Sequence, residues 1–278
     1  MKKLSIVILD YRKAKSVVEN VRHLIAQETD FPVEIVVVDN SVNAENAETL
    51  SQLEHLETSE LGNAAVSLII NEKNEGYTRG NNRGAKASDG DYIAIVNPDI
   101  QCREAGTLQR LVDYLESHPE VGMIGPRQIT PQGETEMTVR AFPKLWVQIA
   151  RRTFLRYVPF IKSAVAYDEM RHLDYEKTQS VQWLQSSFVV MRRALWESFG
   201  GFDEDYFIFM SDSEICWQTW KAGQKVVYLA DVKVYPDGIR ASGGGFFDFF
   251  RSWVIRQHFR DACKYQRKHF FERKPKID

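Results

Sequence analysis

Three aspartates follow short apolar runs in the first hundred residues of the chain. Asp10 ends the run "LSIVILD", Asp39 ends "VEIVVVD", and Asp99 comes three residues after "YIAIV". An aspartate alone in such a place suits a turn or a cap. If the runs are parallel strands, their carboxyl ends meet at one edge of a sheet, where open α/β sheets bind ligands. The spacing therefore predicts a cluster of carboxylates at one sheet edge.

The tripeptide Asn97-Pro98-Asp99 has two interpretations. Because proline disfavours a helical conformation at the residue before it, the strand extends to Asn97 and the bend presents Asp99 at its tip. A plain turn explains these three residues. The alternative is a metal ligand, since Mg²⁺ accepts one or two protein carboxylates and takes its other oxygens from phosphates and water.

A further acidic group stands in "FMSDSEICWQTWKAG" (209–223). Ser211 and Glu214 have the spacing of a capping box that opens a helix, and Asp212 falls in the first turn. The helix dipole favours a charged carboxylate there. This structural explanation covers all three residues, and a catalytic carboxylate is the alternative.

The runs that contain these aspartates alternate with segments whose polar sequence is compatible with helices. Such continuous Val- and Ile-rich runs are typical of strands covered on both faces, so the pattern predicts an α/β fold with a mainly parallel sheet. We expect strands at 4–9, 33–38, 66–70 and 92–96, and helices at 13–27, 43–56 and 78–88.

The second half has a different pattern. Residues 181–191 and 225–235 form longer strand candidates on either side of an aromatic-rich loop and a helical stretch at 212–223, so the sheet is expected to become mixed. Residues 140–180 read as an insertion or a helical excursion. In the C-terminal segment 246–278, residues 246–276 combine aromatic residues with nine basic and three acidic ones. Their apolar positions at 246, 247, 250, 253, 254 and 258 approximate helical spacing, which predicts a helix with one apolar and one cationic face.

Composition excludes several classes of protein. The 36 Lys and Arg balance 38 Asp and Glu, which gives a net charge of −2 and argues against nucleic acid as a partner. Cys102, Cys216 and Cys263 have neither disulfide nor zinc spacing and fit a reducing, cytoplasmic location. The apolar run after Met1 is too short for a signal peptide, and about 18 uninterrupted apolar residues, as a membrane-spanning helix needs, occur nowhere.

Glycines near the first strands do not fit a phosphate-binding loop. A dinucleotide-binding fold needs a Gly-rich turn directly after the first strand, whereas this strand leads into "LDYRKAK". Gly76, Gly80 and Gly84 match neither the dinucleotide nor the P-loop spacing. NAD binding and P-loop hydrolysis are therefore disfavoured.

Several motifs taken together resemble the family-two glycosyltransferases of the GT-A fold, most closely the rhamnosyltransferase-like branch that builds bacterial surface polysaccharides. The resemblance spans roughly residues 4–242. It rests on the order of the following stretches: "LSIVILDY", "VEIVVVDNS", "NEKNEGYTRGNNRGAKASDGDYIAIVNPDI", "GGFDEDYFIFMSDSEICWQTWKAG" and "RAS". It implies a catalytic domain at 1–245, with a nucleotide-binding half (1–100) and an acceptor-binding half (101–245), followed by the tail at 246–278.

The resemblance also assigns roles to individual residues. It implies Asp99 as the metal ligand for Mg²⁺ or Mn²⁺ and Asp212 as the general base. Nucleotide-binding positions are implied at Leu9, Asp10, Tyr11, Asp39, Asn74, Gly76, Arg79, Asn82 and Asn97. Sugar or acceptor contacts are expected from Trp183, Glu214, Asp237 and Arg240, although core packing is the alternative for Trp183.

Four positions depart from the family pattern. Asn97 replaces the first carboxylate of an aspartate-x-aspartate motif, Asp10 stands where Asn is usual, Ser211 replaces a Glu, and Pro236 stands where a histidine is common. Asp237 or Arg240 could replace that histidine, by metal ligation or by contact to phosphate. A loop that serves only for turning is the alternative.

The implied activity is inverting transfer of a sugar from a dTDP- or UDP-linked donor to a glycan or lipid-linked acceptor. The C-terminal segment would rest on the anionic inner surface of the cytoplasmic membrane. The alternative is a helix that packs on the catalytic domain or forms a contact in a homodimer. Two other classes stay open: a non-catalytic sugar-binding or scaffold protein of the same fold, and a sugar nucleotidyltransferase, which should carry a Gly-rich basic loop after the first strand.

Overall fold

A computed structural model describes residues 2–57, 61–151, 153–237 and 253–277 of the 278-residue chain. Its strands are β1 Leu4–Asp10, β2 Val33–Asp39, β3 Ala64–Ile70, β4 Tyr92–Val96, β5 Ile100–Gln101, β6 Val121–Gln128, β7 Val139–Arg140, β8 Gln179–Ser180, β9 Trp183–Leu184, β10 Phe188–Arg192 and β11 Lys225–Pro236. Its α-helices are α1 Ala14–Ile25, α2 Ala44–Ser51, α3 Gly76–Lys86, α4 Thr107–Ser117, α5 Leu145–Arg151, α6 Pro159–Asp168, α7 Arg193–Phe199, α8 Ser211–Lys221 and α9 Trp253–Lys268. Short 3₁₀ helices lie at Gln52–His55 and Phe154–Tyr157.

Nine of these strands form one mixed sheet in the order β3-β2-β1-β4-β10-β6-β11-β5, with β8 paired to β11. The first four strands are parallel, and β10 runs antiparallel to both β4 and β6. The predicted change from a parallel to a mixed sheet is confirmed. Strand β1 pairs with β2 in a register that sets Asp10 opposite Asp39, so these two carboxylates leave the sheet side by side.

Side chains of β1 and β4, in the middle of the sheet, alternate between two apolar clusters, one on each face of the sheet. Ile6 and Ile8 of β1 belong to the cluster that packs against α1 and α4. Val7 belongs to the other cluster, which contains residues of α8 and α9. Burial on both faces explains why these strands are continuously apolar in the sequence.

The predicted single strand over 181–191 is wrong. The chain instead forms β9, which pairs with β7 in a separate two-stranded sheet, and then β10, which enters the main sheet between β4 and β6. Ser186 and Ser187 separate the two strands, and their groups bond to other elements: the Tyr77 hydroxyl donates to Ser186 and the Asn97 N–H to the Ser187 carbonyl. An apolar run cannot signal this change of partner.

Residues 140–180 contain the predicted helical excursion. Helix α5, the 3₁₀ turn at 154–157 and α6 pack on one another around Val147, Ala150 and Val165. The excursion returns at its base, where the Ala141 N–H donates to the Asp168 carbonyl at 3.0 Å. It is therefore a helical hairpin with a small core of its own.

Helix α9 packs on the face of the sheet that also carries α8. Its buried residues are Gln257, Asp261, Ala262 and Tyr265, whereas Trp253 is about half exposed. The predicted apolar face at 246, 247, 250, 253, 254 and 258 is displaced from this observed face, and 246, 247 and 250 lie outside the described residues. The reason is that a polar group, Asp261, occupies the centre of the contact, which an apolar count overlooks.

Candidate active site

Asp10 and Asp39 share a buried polar cluster at the carboxyl edge of the sheet. Both side chains are inaccessible to solvent. The Asn46 amide donates to Asp10 Oδ2 at 2.5 Å and to Asp39 Oδ1 at 3.1 Å, and the Ser41 hydroxyl donates to Asp10 at 3.1 Å. Burial raises the pKa of Asp10, although the hydrogen bonds from Asn46, Lys13 and Ser41 oppose this rise.

One oxygen of Asp39 has no partner within the described part of the chain. Asp39 Oδ2 is buried and accepts no hydrogen bond there, and the same holds for Asn71 Oδ1 close by. A buried acceptor without a donor costs free energy, so such atoms in a native site call for a ligand or water. Two orphaned acceptors beside a strand end suit a ligand rich in N–H and O–H groups.

Asn40 connects this cluster to the start of α3. Its amide donates to Asn74 Oδ1 at 2.8 Å and to the Gly76 carbonyl at 3.2 Å, and its own oxygen accepts from Asn71 and the Glu75 N–H. Gly76 has φ +81°, and a Cβ there would lie 2.7 Å from the Phe207 carbonyl oxygen. Only glycine therefore allows α3 to begin this close to the loop that precedes α8.

Asp99, Asp237 and Lys13 form the second charged group of the site. The Lys13 ammonium lies 2.9 Å from Asp99 Oδ2 and 3.8 Å from Asp237 Oδ2, and the Asp237 N–H donates to the Asp99 carbonyl at 3.1 Å. Two carboxylates thus converge on one cation. Arg240, the other candidate of this region, lies outside the described residues.

These two carboxylates fit a divalent cation as a ligand pair. Oxygen donors of this kind suit Mg²⁺ and Mn²⁺, and Mg²⁺ needs only one or two protein carboxylates when phosphate and water complete its shell. Among the residues that the structure describes, no group of three or more His, Cys, Asp or Glu side chains could hold a metal. The residues therefore suit a metal shared with a phosphate ligand.

Asp212 occupies the first turn of α8. Burial raises its pKa to about 6, whereas backbone hydrogen bonds around Ser213 and Ser186 and the Arg140 charge lower it. The predicted capping box is absent, because the helix begins at Ser211 itself and the cap position falls on Met210, which has a left-handed backbone. Asp212 is thus a partly buried carboxylate that takes up a proton as the pH falls through about 6.

Two consecutive serines connect Asp212 to the turn that holds Asp99. The Ser187 carbonyl accepts from the Asn97 N–H at 2.8 Å, and the backbone of Ser186 hydrogen bonds to Asp212. Asp212 and the Asn97-Pro98-Asp99 turn therefore contact adjacent residues of the segment between β9 and β10. This segment is what brings the α8 carboxylate to the sheet edge.

Non-glycine residues with a left-handed backbone flank the same edge. Arg12 follows β1 with φ 61°, Val42 follows β2 with φ 50°, and Met210 precedes α8 with φ 69°. Such conformations cost free energy, above all for a β-branched residue, and persist where the surroundings fix them. Backbone strain of this kind is common at functional sites, so its position supports a binding site at this edge of the sheet.

The remaining predicted residues have varied surroundings. Tyr11 is half exposed beside Asp10, and Leu9 packs so closely on α3 that a Cβ on Gly80 would collide with it. Arg79 is largely exposed and pairs with Glu204 at 3.4 Å. Asn97 is partly exposed and uses its backbone in the turn.

Three predicted contact residues have structural partners instead. Both polar atoms of the Asn82 side chain bond the Phe202 backbone, at 2.8 Å each, so this amide fixes the loop before α8. Trp183 is buried and donates to the Ala141 carbonyl, which corrects the expectation that it stacks on a sugar.

Glu214 is the third of them and faces α9. It is 3% exposed, and its oxygens lie 2.6 Å from His269 Nε2 and 2.9 Å from Lys268 Nζ. Burial alone would raise its pKa, but the hydrogen bonds from His269, Gln218 and Lys268 outweigh it and hold the pKa at about 2. The expected acceptor contact is thus replaced by an ion pair that fixes α8 to α9.

Sequence reasoning missed Lys13, Asn46 and Asp261. Asp261 of α9 accepts from the N–H groups of Ile208 and Phe209 in the loop before Met210. Lys13 and Asn46 each lie a few residues after a strand that ends in an aspartate, which was a usable signal. Asp261 had none, because its partners are more than fifty residues away.

The comparison with protein families identifies the fold and the lineage. The family described as Glycosyl transferase family 2 matches residues 5–182, which is most of the chain up to β9. The chain belongs to glycosyl transferase family 2. Within this family-two chain, the match covers the strand-end aspartates and the Asn97-Pro98-Asp99 turn.

Two characterised relatives are similar in sequence. An N-acetylglucosaminyl-diphospho-decaprenol L-rhamnosyltransferase of Mycobacterium tuberculosis is 29% identical over 189 residues, 64% of this chain and 61% of the relative. The O-antigen chain rhamnosyltransferase RfbN of Salmonella typhimurium is 26% identical over 233 residues, 84% of this chain and 65% of RfbN. The chain thus spans less than two thirds of the length of either relative.

The fold is that of the GT-A glycosyltransferases. A solved mannosyltransferase, PcManGT from Pyrobaculum calidifontis in complex with GDP-Man and Mn²⁺, superimposes with a TM-score of 0.60 at 17% identity, over 95% of this chain and 64% of that one. Identity this low supports the fold alone. The predicted GT-A architecture with a C-terminal helix is confirmed.

Proposed function

We propose that this family-two chain is an inverting glycosyltransferase, with rhamnose as the first candidate sugar. The donor would be a dTDP- or UDP-linked sugar and the acceptor a hydroxyl of a glycan or a lipid-linked saccharide. The observation that carries the proposal is the juxtaposition of Asp212, a carboxylate with a pKa of about 6, and the carboxylate-lined sheet edge. The names of the two relatives support the sugar and the class of acceptor.

The buried polar cluster would hold the nucleoside. Asp39 Oδ2 is an orphaned buried acceptor and would take an N–H of the base or an O–H of the ribose. Asn46 and Ser41 keep Asp10 and Asp39 together despite their like charges. Tyr11, half exposed at the same strand end, would cover the base.

Asp99 and Asp237 would hold Mg²⁺ or Mn²⁺ next to the diphosphate. When bound, the metal neutralises charge that develops on the leaving diphosphate. Lys13 lies between the two carboxylates and would exchange this contact for one to a phosphate oxygen, since its ammonium has three donors on a flexible stem. The Mn²⁺ named with PcManGT is consistent with this choice of metal.

Asp212 would act as the general base. Its carboxylate accepts the proton of the acceptor hydroxyl while that oxygen forms a bond to the anomeric carbon and the diphosphate leaves from the opposite face. The configuration at that carbon inverts, and no covalent intermediate with the protein is required. A pKa of about 6 leaves the carboxylate largely ionised at neutral pH.

A non-catalytic sugar-binding protein of the same fold is the second candidate. The Lys13 ammonium between Asp99 and Asp237 favours it, because this ion pair satisfies the two carboxylates without a metal. Turnover separates the two candidates. Peripheral attachment of residues 246–278 to a membrane and formation of a homodimer both remain predictions, and no helix of the described residues could span a membrane.

The decisive experiment combines a donor screen with one substitution. Nucleotide sugars are tested for binding and for transfer or hydrolysis with Mg²⁺, with Mn²⁺ and with a chelator. We expect Asp212→Asn to lower transfer by about 10²- to 10⁴-fold, the range for loss of a general base, while donor affinity survives. Transfer at the wild-type rate in this variant would refute the assigned base, and absence of turnover with every donor would favour the binding protein.

A further inference from the structure

The tip of the helical hairpin carries large apolar side chains that no other described element covers. Phe154 and Tyr157 are each 77% exposed, and Phe160 is 90% exposed. Phe154 and Tyr157 lie three residues apart in a 3₁₀ turn, so they project from the same edge of it. Contiguous exposed apolar groups of this kind mark an interaction surface.

The hairpin does not need these aromatic rings for its own stability. Its small core consists of Val147, Ala150 and Val165, with Leu155 and Ile161 packed against it. The three exposed rings are not part of that core. Exposed apolar side chains in a segment that already has a packed core are therefore available for a partner.

The charge of the same segment is one-sided. Residues 141–167 contain no Asp or Glu but five cations, whereas the whole chain has a net charge of −2. The five are Lys144, Arg151, Arg152, Arg156 and Lys162. The Arg156 guanidinium lies over the Tyr157 ring, 5.8 Å from its centroid. Aromatic residues with cations at their margin suit an anionic lipid surface, where rings enter the headgroup region and cations remain at the phosphates.

The base of the hairpin adjoins the candidate active site. Arg140 precedes it and acts electrostatically on Asp212, and Gln148 of α5 reaches the Met210 sulfur at 3.8 Å. The hairpin therefore connects the exposed tip to the surroundings of Asp212.

We propose that the tip of this hairpin, Phe154, Tyr157 and Phe160 with Arg156 and Lys162 at its margin, docks on an anionic lipid bilayer. The proposal goes beyond glycosyl transfer, and its readout is binding, so it stands or falls independently of the assigned reaction. Docking would hold the membrane on the side of the site from which the hairpin extends. The exposed Phe270 and Phe271 of the C-terminal segment are a separate candidate contact and serve as a comparison.

The test is flotation of the full chain with vesicles of phosphatidylcholine mixed with phosphatidylglycerol, and with vesicles of phosphatidylcholine alone. We expect binding to the anionic vesicles. The triple variant Phe154→Ser, Tyr157→Ser, Phe160→Ser should bind about a hundredfold more weakly, because three rings no longer leave water. Thermal unfolding of this variant should match the wild type, since the replaced side chains are exposed.

A pair of charge variants tests the electrostatic part. Arg156→Glu with Lys162→Glu should lose about tenfold or more in affinity for anionic vesicles. The matched control, Lys15→Glu with Lys86→Glu on α1 and α3, changes the net charge equally at exposed positions and should bind within about twofold of the wild type.

Several outcomes would overturn the proposal. Absence of wild-type binding to anionic vesicles is one, and unchanged binding of the triple variant is another. Equal losses in both charge variants would mean a nonspecific net-charge effect, and loss only in a Phe270→Ser, Phe271→Ser variant would assign the membrane to the C-terminal segment. A wild-type dimer that the triple variant converts to monomer, without vesicle binding, would make the tip a contact between copies of this chain.

Discussion

At the scale of one residue, the proposed role of Asp212 as a general base depends on its burial. Its pKa is raised to about 6, mainly by desolvation, while backbone donors at the start of α8 limit the rise. A base is active only when deprotonated. The rate should therefore be constant above this pKa and fall below it.

We predict that kcat/KM declines about tenfold for each pH unit below about 6. The measurement is initial transfer rate against pH with the donor and acceptor far below saturation. An Asp212→Glu variant, which keeps a carboxylate, is the control and should retain a pH-dependent limb. A kcat/KM that stays constant over about two pH units around the expected pKa of about 6 would contradict the assignment.

Asp99 and Asp237 differ in their burial, and this difference predicts unequal effects. The Asp99 side chain is 13% exposed and that of Asp237 is 31% exposed, with Lys13 closer to Asp99. We expect Asp99→Asn to lower metal-stimulated transfer by about a hundredfold or more and Asp237→Asn by about tenfold. Titration of Mn²⁺ in the presence of a nucleoside diphosphate measures the affinity directly.

The control for this pair is Asp231→Asn. Asp231 lies on β11, the strand that ends one residue before Asp237, and is exposed. It should leave both the metal affinity and the rate unchanged. If Asp231→Asn weakened the metal as much as Asp99→Asn, the effect would reflect the general charge of this region rather than ligation.

At the scale of elements, the contact between α8 and α9 is an ion-pair network. Glu214 accepts from His269, Lys268 and Gln218, and His269 also contacts Glu272 at 3.0 Å. The Trp217 indole donates to the same Glu272. The C-terminal end of α9 and the residues just after it therefore hold the helix that carries Asp212.

Because of this network, the free energy of unfolding should depend on pH in the acidic range. The folded pKa of Glu214 is about 2, lower than its ordinary value of 4.5, so the folded state binds fewer protons than the unfolded one. The stabilisation is fully present above about pH 4.5 and is lost as the pH falls toward 2. We expect ionised Glu214 to contribute about 3 kcal/mol to the free energy of unfolding. The measurement is urea-induced unfolding at a series of pH values.

Glu214→Gln is the variant that isolates this contribution. Its unfolding free energy should be lower at neutral pH and should vary less between pH 4.5 and 2 than that of the wild type. Glu176→Gln, an exposed carboxylate that pairs with Arg127, is the control and should change little. An identical pH dependence in Glu214→Gln and wild type would contradict the role of the network.

At the scale of the whole molecule, the C-terminal helix packs on the sheet face and on the loop that position α8. Asp261 is fully buried and bonds two N–H groups of the loop that leads to Met210 and Asp212. Tyr265 joins the apolar cluster on that face of the sheet. Removal of α9 and the residues after it would expose this cluster and leave Glu214 without its contacts to Lys268 and His269.

We predict that a chain ending at residue 245 is less stable by at least about 3 kcal/mol, the low end for breaking a buried ion pair, and loses transfer activity. A chain ending at Glu272 is the control, because it retains Asp261, Lys268, His269 and Glu272. Thermal unfolding and transfer rate should match the full chain in this control. An active, stable protein that ends at 245 would show that α9 is dispensable.

The sequence by itself determined the α/β order, the edge of the sheet and the identity of three strand-end aspartates. These are local or periodic properties: apolar runs specify buried parallel strands, and parallel strands bring Asp10, Asp39 and Asp99 to one edge. The order of motifs added the family. Such features follow from neighbours in the chain and need no knowledge of distant contacts.

Only the tertiary structure decided which polar groups face each other. Glu214 has the spacing of a capping box, yet it pairs with His269, 55 residues away, and Asn82 fixes a loop 120 residues away. Asp261 reaches back to the loop before α8 in the same way. The local sequence around a polar side chain at a helix start is the same whether that side chain caps the helix, binds a ligand or contacts a distant residue. Packing of remote segments selects among these outcomes, because a buried polar group must find whichever partner the fold brings within hydrogen-bond distance.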